Sequence, residues 1–300
     1  IGTALAVQPV LGTIIGTVVG GIIIAAFGYL TFFIVMGLFV MGVGILAIFT
    51  LKEKEPQPHK IGTFWQQFAS AFNFKRFFSM KELWLVNLVV AIYFIGFNVY
   101  FVHIGNMFIY NFGFDEGTFG IVQGLSLIIA IAFTIPAGHF IRKNQSAQLL
   151  IATFIINIAG LLILYGFAGN ADGTNLLSLA NIPLYFGILL TGAGYILTMQ
   201  TTMVWVKQLY PTESRGQFEG VRIIFYVLIP MVFGPMIANP FITRETTLDY
   251  GLGPIPIKIP EPNLFLIASI IMLVTFIPLF FLTKIYRKRI KETPPQVIEE

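Results

Sequence analysis

The sequence predicts an all-α, polytopic membrane protein, because charged residues are scarce and are confined to short segments between long apolar ones. Of the 300 residues, 56% are hydrophobic and 11% are charged, whereas soluble domains carry about 25% charged residues. Residues 1–51 contain no Asp, Glu, Lys or Arg, and neither do residues 83–114, 118–141, 147–171 and 263–283. Because about 20 consecutive apolar residues cross a bilayer, each stretch predicts at least one transmembrane helix.

The uncharged stretches and the polar loops between them predict eight transmembrane helices, numbered here as spans one to eight. Span one is expected from Thr3 to Phe27, and a turn at Gly28-Tyr29 leads into span two, which ends near Leu51. The other six are expected at 83–112, 118–141, 147–168, 182–206, 217–241 and 263–284.

The basic residues define the orientation of the spans. Most lie between spans two and three, after spans four and six, and in the tail after span eight, whereas the opposite loops hold only Arg244 and Lys258. By the positive-inside rule, segments 52–82, 142–146, 207–216 and the C-terminal tail are expected to be cytoplasmic in a plasma-membrane protein. The net charge of +4 therefore reflects topology and implies no nucleic-acid partner; the expected partners are the lipid bilayer and a small-molecule solute.

The segment from Thr63 to Phe78 has an apolar period of its own. Phe64, Phe68 and Phe72 recur every four residues among polar side chains. This pattern indicates a helix that lies in the membrane interface with its apolar face down, or an amphipathic helix packed on the protein's own cytoplasmic face. The sequence leaves both alternatives open.

Composition also limits the chemistry. There is no cysteine, and the three histidines lie far apart at 59, 103 and 139, so no metal site and no cofactor are expected. The interiors of the spans hold no acidic residue that would pair with His103 in a membrane-embedded enzyme, and no filter loop or charged ring indicates a channel. A receptor or scaffold that transports nothing remains an alternative.

Spans three and six are richer in polar side chains than the other spans. At 100° per residue, Tyr93 and Tyr100 share one face of span three, and Tyr195, Thr198 and Thr202 share one face of span six. Because polar groups in lipid must meet partners or water, these faces predict an aqueous cavity, with interhelical hydrogen bonding as the alternative. The expected cavity residues are Tyr93, Asn98, Tyr100, His103, Gln123, Tyr195, Thr198 and Thr202.

Span one carries four glycines, at Gly12, Gly16, Gly20 and Gly21. Their spacing resembles the glycine-rich signature in the fifth helix of major facilitator transporters, with Thr17 at the place of the usual proline. Glycines at these positions let a neighbouring helix approach closely and rock against it. The resemblance implies that span one is the fifth of twelve helices, that roughly 110–130 residues precede it, and that spans three and six are the cavity-lining seventh and tenth.

The same resemblance implies a division of the chain. Residues 1–51 correspond to the last two helices of an N-terminal bundle, 52–82 to a cytoplasmic link with an amphipathic helix, 83–287 to a C-terminal six-helix bundle, and 288–300 to a cytoplasmic tail. Such a secondary transporter is expected to act as a monomer by alternating access, in which two bundles rock about a central site. Within the superfamily, residues 64–77 resemble the link of glycoside–pentoside–hexuronide symporters.

Charged residues at two span ends resemble the cytoplasmic loops of the same superfamily. Arg142 stands where the motif Gly-xxx-Asp-Arg/Lys-x-Gly has its acidic residue, and Arg215 lies in the segment that resembles the link between the tenth and eleventh helices. Glu219 and Arg222 are spaced i,i+3 and can pair on one helix face. These four residues are expected to form a cytoplasmic gate; for the pair, the alternative is a charged helix start at the membrane surface.

The expected cavity residues also bear on the solute. Neutral donors and acceptors with aromatic faces suit a hydroxylated solute such as a sugar, whereas an anion calls for a buried Lys or Arg. Because the ordinary pKa of histidine lies near physiological pH, His103 is expected to be either a proton carrier or a hydrogen-bonded structural residue. The sequence leaves open whether the coupling ion is H⁺ or Na⁺.

Overall fold

The computed structural model describes residues 2–50, 63, 74–211, 215–249 and 253–292 of the chain. Among these residues, seven helical segments are long and apolar enough to cross a membrane. The predicted class of helical integral membrane protein is therefore confirmed. The seven segments are Leu11–Thr50, Lys81–Tyr110, Glu116–Arg142, Ser146–Asn170, Leu179–Leu209, Phe218–Phe241 and Asn263–Glu292.

Most of these segments consist of two shorter helices in series. A five-residue π-helix, Ile224–Leu228, joins the α-helices Arg215–Ile223 and Ile229–Ala238. Two antiparallel strands, β1 (Arg244–Asp249) and β2 (Pro254–Ile259), precede the α-helix Asn263–Val274. The α-helices are α1 (Gly2–Thr50), α2 (Phe74–Ser79), α3 (Lys81–Phe101), α4 (Ile104–Tyr110), α5 (Glu116–Ala132), α6 (Thr134–Arg142), α7 (Ser146–Phe167), α8 (Ile182–Leu209), α9 (Arg215–Ile223), α10 (Ile229–Ala238), α11 (Asn263–Val274) and α12 (Phe276–Glu292).

Helix α1 is interrupted at Gly28, where spans one and two were expected to meet. Gly28 has φ 79° and ψ 170°, a non-helical conformation that glycine adopts without strain. An atom of the Phe32 ring lies 3.0 Å from the position that a Cβ on Gly20 would occupy. Twelve residues of straight helix would separate these positions by about 18 Å, so the chain folds back on itself at Gly28.

Three of the other helix breaks have proline as their cause. A proline cannot donate to the carbonyl four residues earlier and clashes with it. Pro136 follows the break between α5 and α6, Pro278 follows the break between α11 and α12, and Pro230 follows the π-helix. The break at Val102 and His103, between α3 and α4, has no proline near it.

The helices from Lys81 onward pack around α3, most of whose side chains are buried. Helices α7 and α8 approach each other through small residues, because a Cβ on Gly194 would lie 2.4 Å from Asn157 Nδ2. Helix α7, which corresponds to span five, is buried on this side, where Asn157 is fully buried, and exposed on another, where Ile155 is 56% exposed.

Helix α1 lies against α5 through glycine contacts. A Cβ on Gly21 would lie 2.7 Å from the Glu116 carbonyl oxygen, and one on Gly120 would lie 2.6 Å from the Thr17 carbonyl oxygen. Any larger residue would push the two backbones apart, so these glycines set the distance between α1 and the helices that follow.

Part of the expected interface helix at 63–78 lies outside the described residues, as do most of the 52–82 link and the tail beyond residue 292. The described part is Thr63 and α2. In α2, Phe77 is buried and its ring lies 5.4 Å from that of Phe225, while Phe74 and Phe78 are exposed. This short helix is therefore amphipathic and packs on the protein through one aromatic residue.

Candidate functional site

A cavity lies where α1 meets α3, α5 and α8. It leaves about 100 Å³ for the centres of water-sized molecules, whereas one water needs roughly 10–15 Å³ on that measure, so it has room for several waters or a small solute. None of the described residues that line it is charged. They are Thr13, Phe97, Tyr100, Phe101, Ile104, Gln123, Ser126, Leu127, Ile188, Thr191, Gly192 and Tyr195.

One wall of the cavity consists of three stacked aromatic rings. The Phe97 ring lies 4.5 Å from that of Phe101, at an interplanar angle of 26°. It lies 4.9 Å from that of Tyr195, at 18°. The stack joins α3 to α8 and presents a flat apolar surface beside the Tyr195 hydroxyl.

The polar groups of the cavity differ in what they can offer a solute. Ser126 Oγ donates to the Val122 carbonyl at 2.8 Å, and Thr191 Oγ1 lies 3.0 Å from two carbonyls of its own helix. Hydroxyls bonded to their own helix keep lone pairs and can still accept. Among the described lining residues, Gln123 is the one amide, and it supplies both a donor and an acceptor.

Of the eight expected cavity residues, the structure brings Tyr100, Gln123 and Tyr195 together at this cavity. Tyr93 lies deeper, fully buried, where its Oη accepts a hydrogen bond of 2.9 Å from Asn157 Nδ2. The same nitrogen donates to the Thr191 carbonyl at 3.1 Å. Asn157 of α7 therefore links α3, through Tyr93, to α8, through Thr191, as the interhelical alternative describes.

The remaining expected cavity residues also lie outside the lining. Asn98 Nδ2 donates to the Phe94 carbonyl at 2.9 Å, and Thr202 Oγ1 donates to the Thr198 carbonyl at 2.7 Å. Both threonines are fully buried. His103 lies at the break between α3 and α4, and its Nε2 is buried with no hydrogen-bond partner among the described residues.

Polarity identified only part of the lining, because half of the described lining residues have no polar side-chain atom. Phe97 and Phe101 carry no polar atom and so gave no signal in a search for polar stripes. Ser126 follows Gln123 by one helical turn, which is a signal that sequence alone contains. Thr13 comes from the glycine-rich helix α1, and its place in the cavity depends on how α1 packs on α5.

The expected packing glycines fall into two groups. A Cβ on Gly12 or Gly16 would meet nothing within 4 Å, whereas one on Gly20 would meet the Phe32 ring and one on Gly21 the Glu116 backbone. Among these four glycines, only Gly20 and Gly21 lie where another part of the described chain approaches the helix backbone closely.

The expected gate residues lie at helix ends away from the cavity. Arg222 Nε and Glu219 Oε2 are 2.6 Å apart, with 16% and 33% of the two side chains exposed. The Arg222 guanidinium also lies 5.0 Å from the centre of the Tyr226 ring, in the π-helix. Arg142 is exposed at the end of α6, and the side chain of Arg215 lies outside the described residues.

Tyr210 packs beside this ion pair. Its ring stacks on that of Phe218 at 5.6 Å, and burial, followed by the neighbouring Glu219 carboxylate, raises the pKa of its phenol. The phenol therefore stays protonated at physiological pH and acts as a neutral donor, while Arg222 and Glu219 hold the charge of this corner.

The cavity thus lies between membrane-spanning helices, has no charge among its described lining residues, and borders the glycine-mediated contact of α1 with α5. The sequence model of the Major Facilitator Superfamily matches residues 9–235, more than half of the chain. The chain belongs to this superfamily, whose members are secondary transporters rather than enzymes. Comparisons with curated proteins and with solved structures found no match.

Proposed function

We propose that this protein transports a small, neutral, polar solute of the sugar class by alternating access. The observation that carries the proposal is the lining of the cavity: stacked rings on one wall, Gln123 and hydroxyls around them, and no charge among the described lining residues. Pyranose and furanose rings combine apolar C–H faces with hydroxyls, so aromatic stacking and amide hydrogen bonds both suit them. An anion would call for a fixed cation.

Eight spans in two groups are part of the proposal. The segment Leu11–Thr50 has 40 residues, which as a straight helix would be about 60 Å long, twice the hydrocarbon thickness of a bilayer. The fold-back at Gly28 supports two spans of bilayer length instead. We place segments 52–82, 142–146, 207–216 and the tail in the cytoplasm of a plasma-membrane protein, following the positive-inside rule.

The position of the cavity supports rocking of α1 against the later helices. Thr13 lines it from α1, while Tyr100, Gln123 and Tyr195 line it from the helices that follow Lys81. A rotation about the contact of Gly21 with Glu116 changes the width of the cavity directly. The pair Glu219–Arg222 and Arg142 are proposed as gate residues, with H⁺ or Na⁺ as the coupling ion.

Uptake into proteoliposomes tests the solute class. Radiolabelled pentose, hexose and methyl glycoside are offered beside a dicarboxylate, with imposed H⁺ or Na⁺ gradients. Gln123→Ala removes hydrogen bonds to the solute and is expected to raise the KM for a transported sugar by about 3- to 10-fold, since one neutral hydrogen bond contributes about 0.5–1.5 kcal/mol.

The matched control is Gln148→Ala, which removes an exposed glutamine from α7 and is expected to leave the KM unchanged. Transport of the dicarboxylate with no sugar uptake would contradict the solute class. Specific sugar binding without movement under any gradient would contradict transport itself and favour a receptor.

A further inference from the structure

One face of α12 is apolar in its first half and cationic in its second. Ile277, Phe280 and Phe281 are each more than half exposed, and on a spanning helix such side chains face lipid. Lys284 follows on the same face, with its Nζ 4.2 Å from the centre of the Phe280 ring. Four exposed basic residues at spacings i, i+3, i+4 and i+7 continue this face and are named here the cationic stripe: Lys284, Arg287, Lys288 and Lys291.

The stripe keeps a surplus of positive charge. Arg289 points away from it, toward Glu82, with Nε and Oε2 2.9 Å apart. Leu282, on that inner side of α12, is fully buried. Among the described residues, the acid that pairs with the stripe is Glu292, whose carboxylate lies 3.8 Å from Lys288 Nζ with both side chains exposed. Such an exposed pair is weak and leaves the charge of the stripe available to another anion.

The positions along the helix set the depth of each residue in a bilayer. At 1.5 Å per residue, Lys284 and Arg287 lie about 5 and 9 Å beyond Phe281, and Lys291 lies about 15 Å beyond it. The headgroup layer of one leaflet is roughly 5–8 Å thick. With Phe281 at the edge of the hydrocarbon, Lys284 lies at headgroup depth, Arg287 lies at the outer edge of the headgroup layer, and Lys291 extends into water.

We propose that the cationic stripe is a binding site for the phosphate groups of anionic phospholipids, in the leaflet that borders the Glu82 end of the bundle. The apolar half of the face receives the acyl chains against Phe280 and Phe281, and the basic half receives the headgroup directly above them. Arg287 supplies a planar guanidinium that bonds phosphate through two parallel hydrogen bonds. Each further Lys or Arg near an anionic surface adds to the attraction.

Titration of the purified full chain with phosphatidylglycerol, monitored by native mass spectrometry, tests the proposal. The variant Lys284→Gln/Arg287→Gln/Lys288→Gln is expected to bind phosphatidylglycerol about 10- to 100-fold more weakly, and phosphatidylcholine as before. The charge-matched control removes three basic residues outside the stripe, as Lys75→Gln/Lys143→Gln/Lys207→Gln, and is expected to retain binding.

An equal loss of affinity for phosphatidylglycerol in both triple variants would overturn the site, because the binding would then depend on total positive charge and not on the stripe. Inorganic phosphate at equal concentration is expected not to displace the lipid; displacement would identify a free anion as the occupant and overturn the lipid proposal. The single variant Lys291→Gln is expected to lose less affinity than Lys284→Gln, and the reverse order would overturn the depth assignment. Circular dichroism confirms that each variant remains helical.

Discussion

The segments Leu11–Thr50 and Lys81–Tyr110 are both apolar enough to cross a membrane, yet their most apolar windows occupy opposite environments. The most apolar window of the first has a mean hydropathy of 2.7 and none of it is buried; that of the second has 2.1 and is 72% buried. The less apolar segment is thus the interior one. In a bilayer the interior is where polar side chains find partners, so polarity within an apolar helix indicates burial.

The polar groups of the two segments show the same difference. Thr31 and Thr50 in α1 are exposed, and each hydroxyl donates to a carbonyl of its own helix, which satisfies it in lipid. Tyr93 and Asn98 in α3 are buried, and Tyr93 bonds to another helix. Hydroxyls that their own helix satisfies carry little information on position, whereas amides and phenols mark the helices that lie inside.

Glycine substitutions are expected to show the largest difference in stability between the interior and the exposed environment. Gly194→Leu places a side chain where a Cβ alone would be 2.4 Å from Asn157, and overpacking of this kind is expected to cost about 3 kcal/mol in the free energy of unfolding. Gly42→Leu, in the exposed half of α1 with nothing within 4 Å, is expected to change it by less than about 1 kcal/mol and to favour the helix.

Thermal or denaturant unfolding of both variants in the same detergent measures this difference. If Gly42→Leu destabilised the protein as much as Gly194→Leu does, another surface would have to cover the exposed half of α1. Helices α1 and α3 would then both be interior helices, and the contrast between them would be wrong.

The two ion pairs of α12 allow the same comparison of buried and exposed environments to be made with charged residues. Arg289 lies 2.9 Å from Glu82, a carboxylate that is 8% exposed and also accepts a hydrogen bond of 2.7 Å from Trp205 Nε1. The approach of Arg289 Nε does not have hydrogen-bond geometry, so its contribution is mainly Coulombic. Arg289→Met leaves the Glu82 carboxylate buried beside one neutral donor. It is expected to lower the free energy of unfolding by about 2 kcal/mol. This is less than the cost of breaking a fully buried ion pair, because Arg289 itself is partly exposed.

Glu292→Gln is the matched variant at the exposed pair with Lys288. It is expected to change the free energy of unfolding by less than about 0.5 kcal/mol. Unfolding curves of both variants at low and high salt provide the measurement, since only the exposed pair is screened appreciably. A cost at Glu292 as large as that at Arg289 would mean that burial does not decide the strength of pairs at this end of the bundle.

Sequence predicted the membrane class, the turn at Gly28 and the separation of polar from apolar spans, because each depends on local composition or on one residue. It placed Tyr93 in the cavity with Tyr100, and Thr198 with Tyr195, because the two residues of each pair share one helix face. Of these four described residues, only Tyr100 and Tyr195 line the cavity. Helical periodicity gives the direction of a side chain but not its depth or its partner. Asn157 of α7 decides whether Tyr93 bonds to protein or to solvent, and that contact spans 64 residues.

The smallest expected effect lies outside the membrane, where water lowers the cost of an unpaired group. Asp115 caps α5, and its Oδ1 accepts a hydrogen bond of 2.9 Å from the Thr118 backbone N–H. Hydrogen bonds from Thr118 lower the pKa of this carboxyl from its ordinary value of 3.8. A lowered folded-state pKa stabilises the protein above the unfolded pKa, and this contribution is lost as the pH falls through the folded value.

Asp115→Asn keeps the cap and removes the titration, so it is expected to leave stability at neutral pH unchanged and to weaken the loss of stability below about pH 4. Asp115→Ala removes the cap and is expected to cost about 0.5–1 kcal/mol at neutral pH. Unfolding midpoints from pH 3 to pH 7 distinguish the two variants. An unchanged acid profile in Asp115→Asn would assign the loss to other carboxyls and show that a cap at the membrane surface contributes through its hydrogen bond rather than its charge.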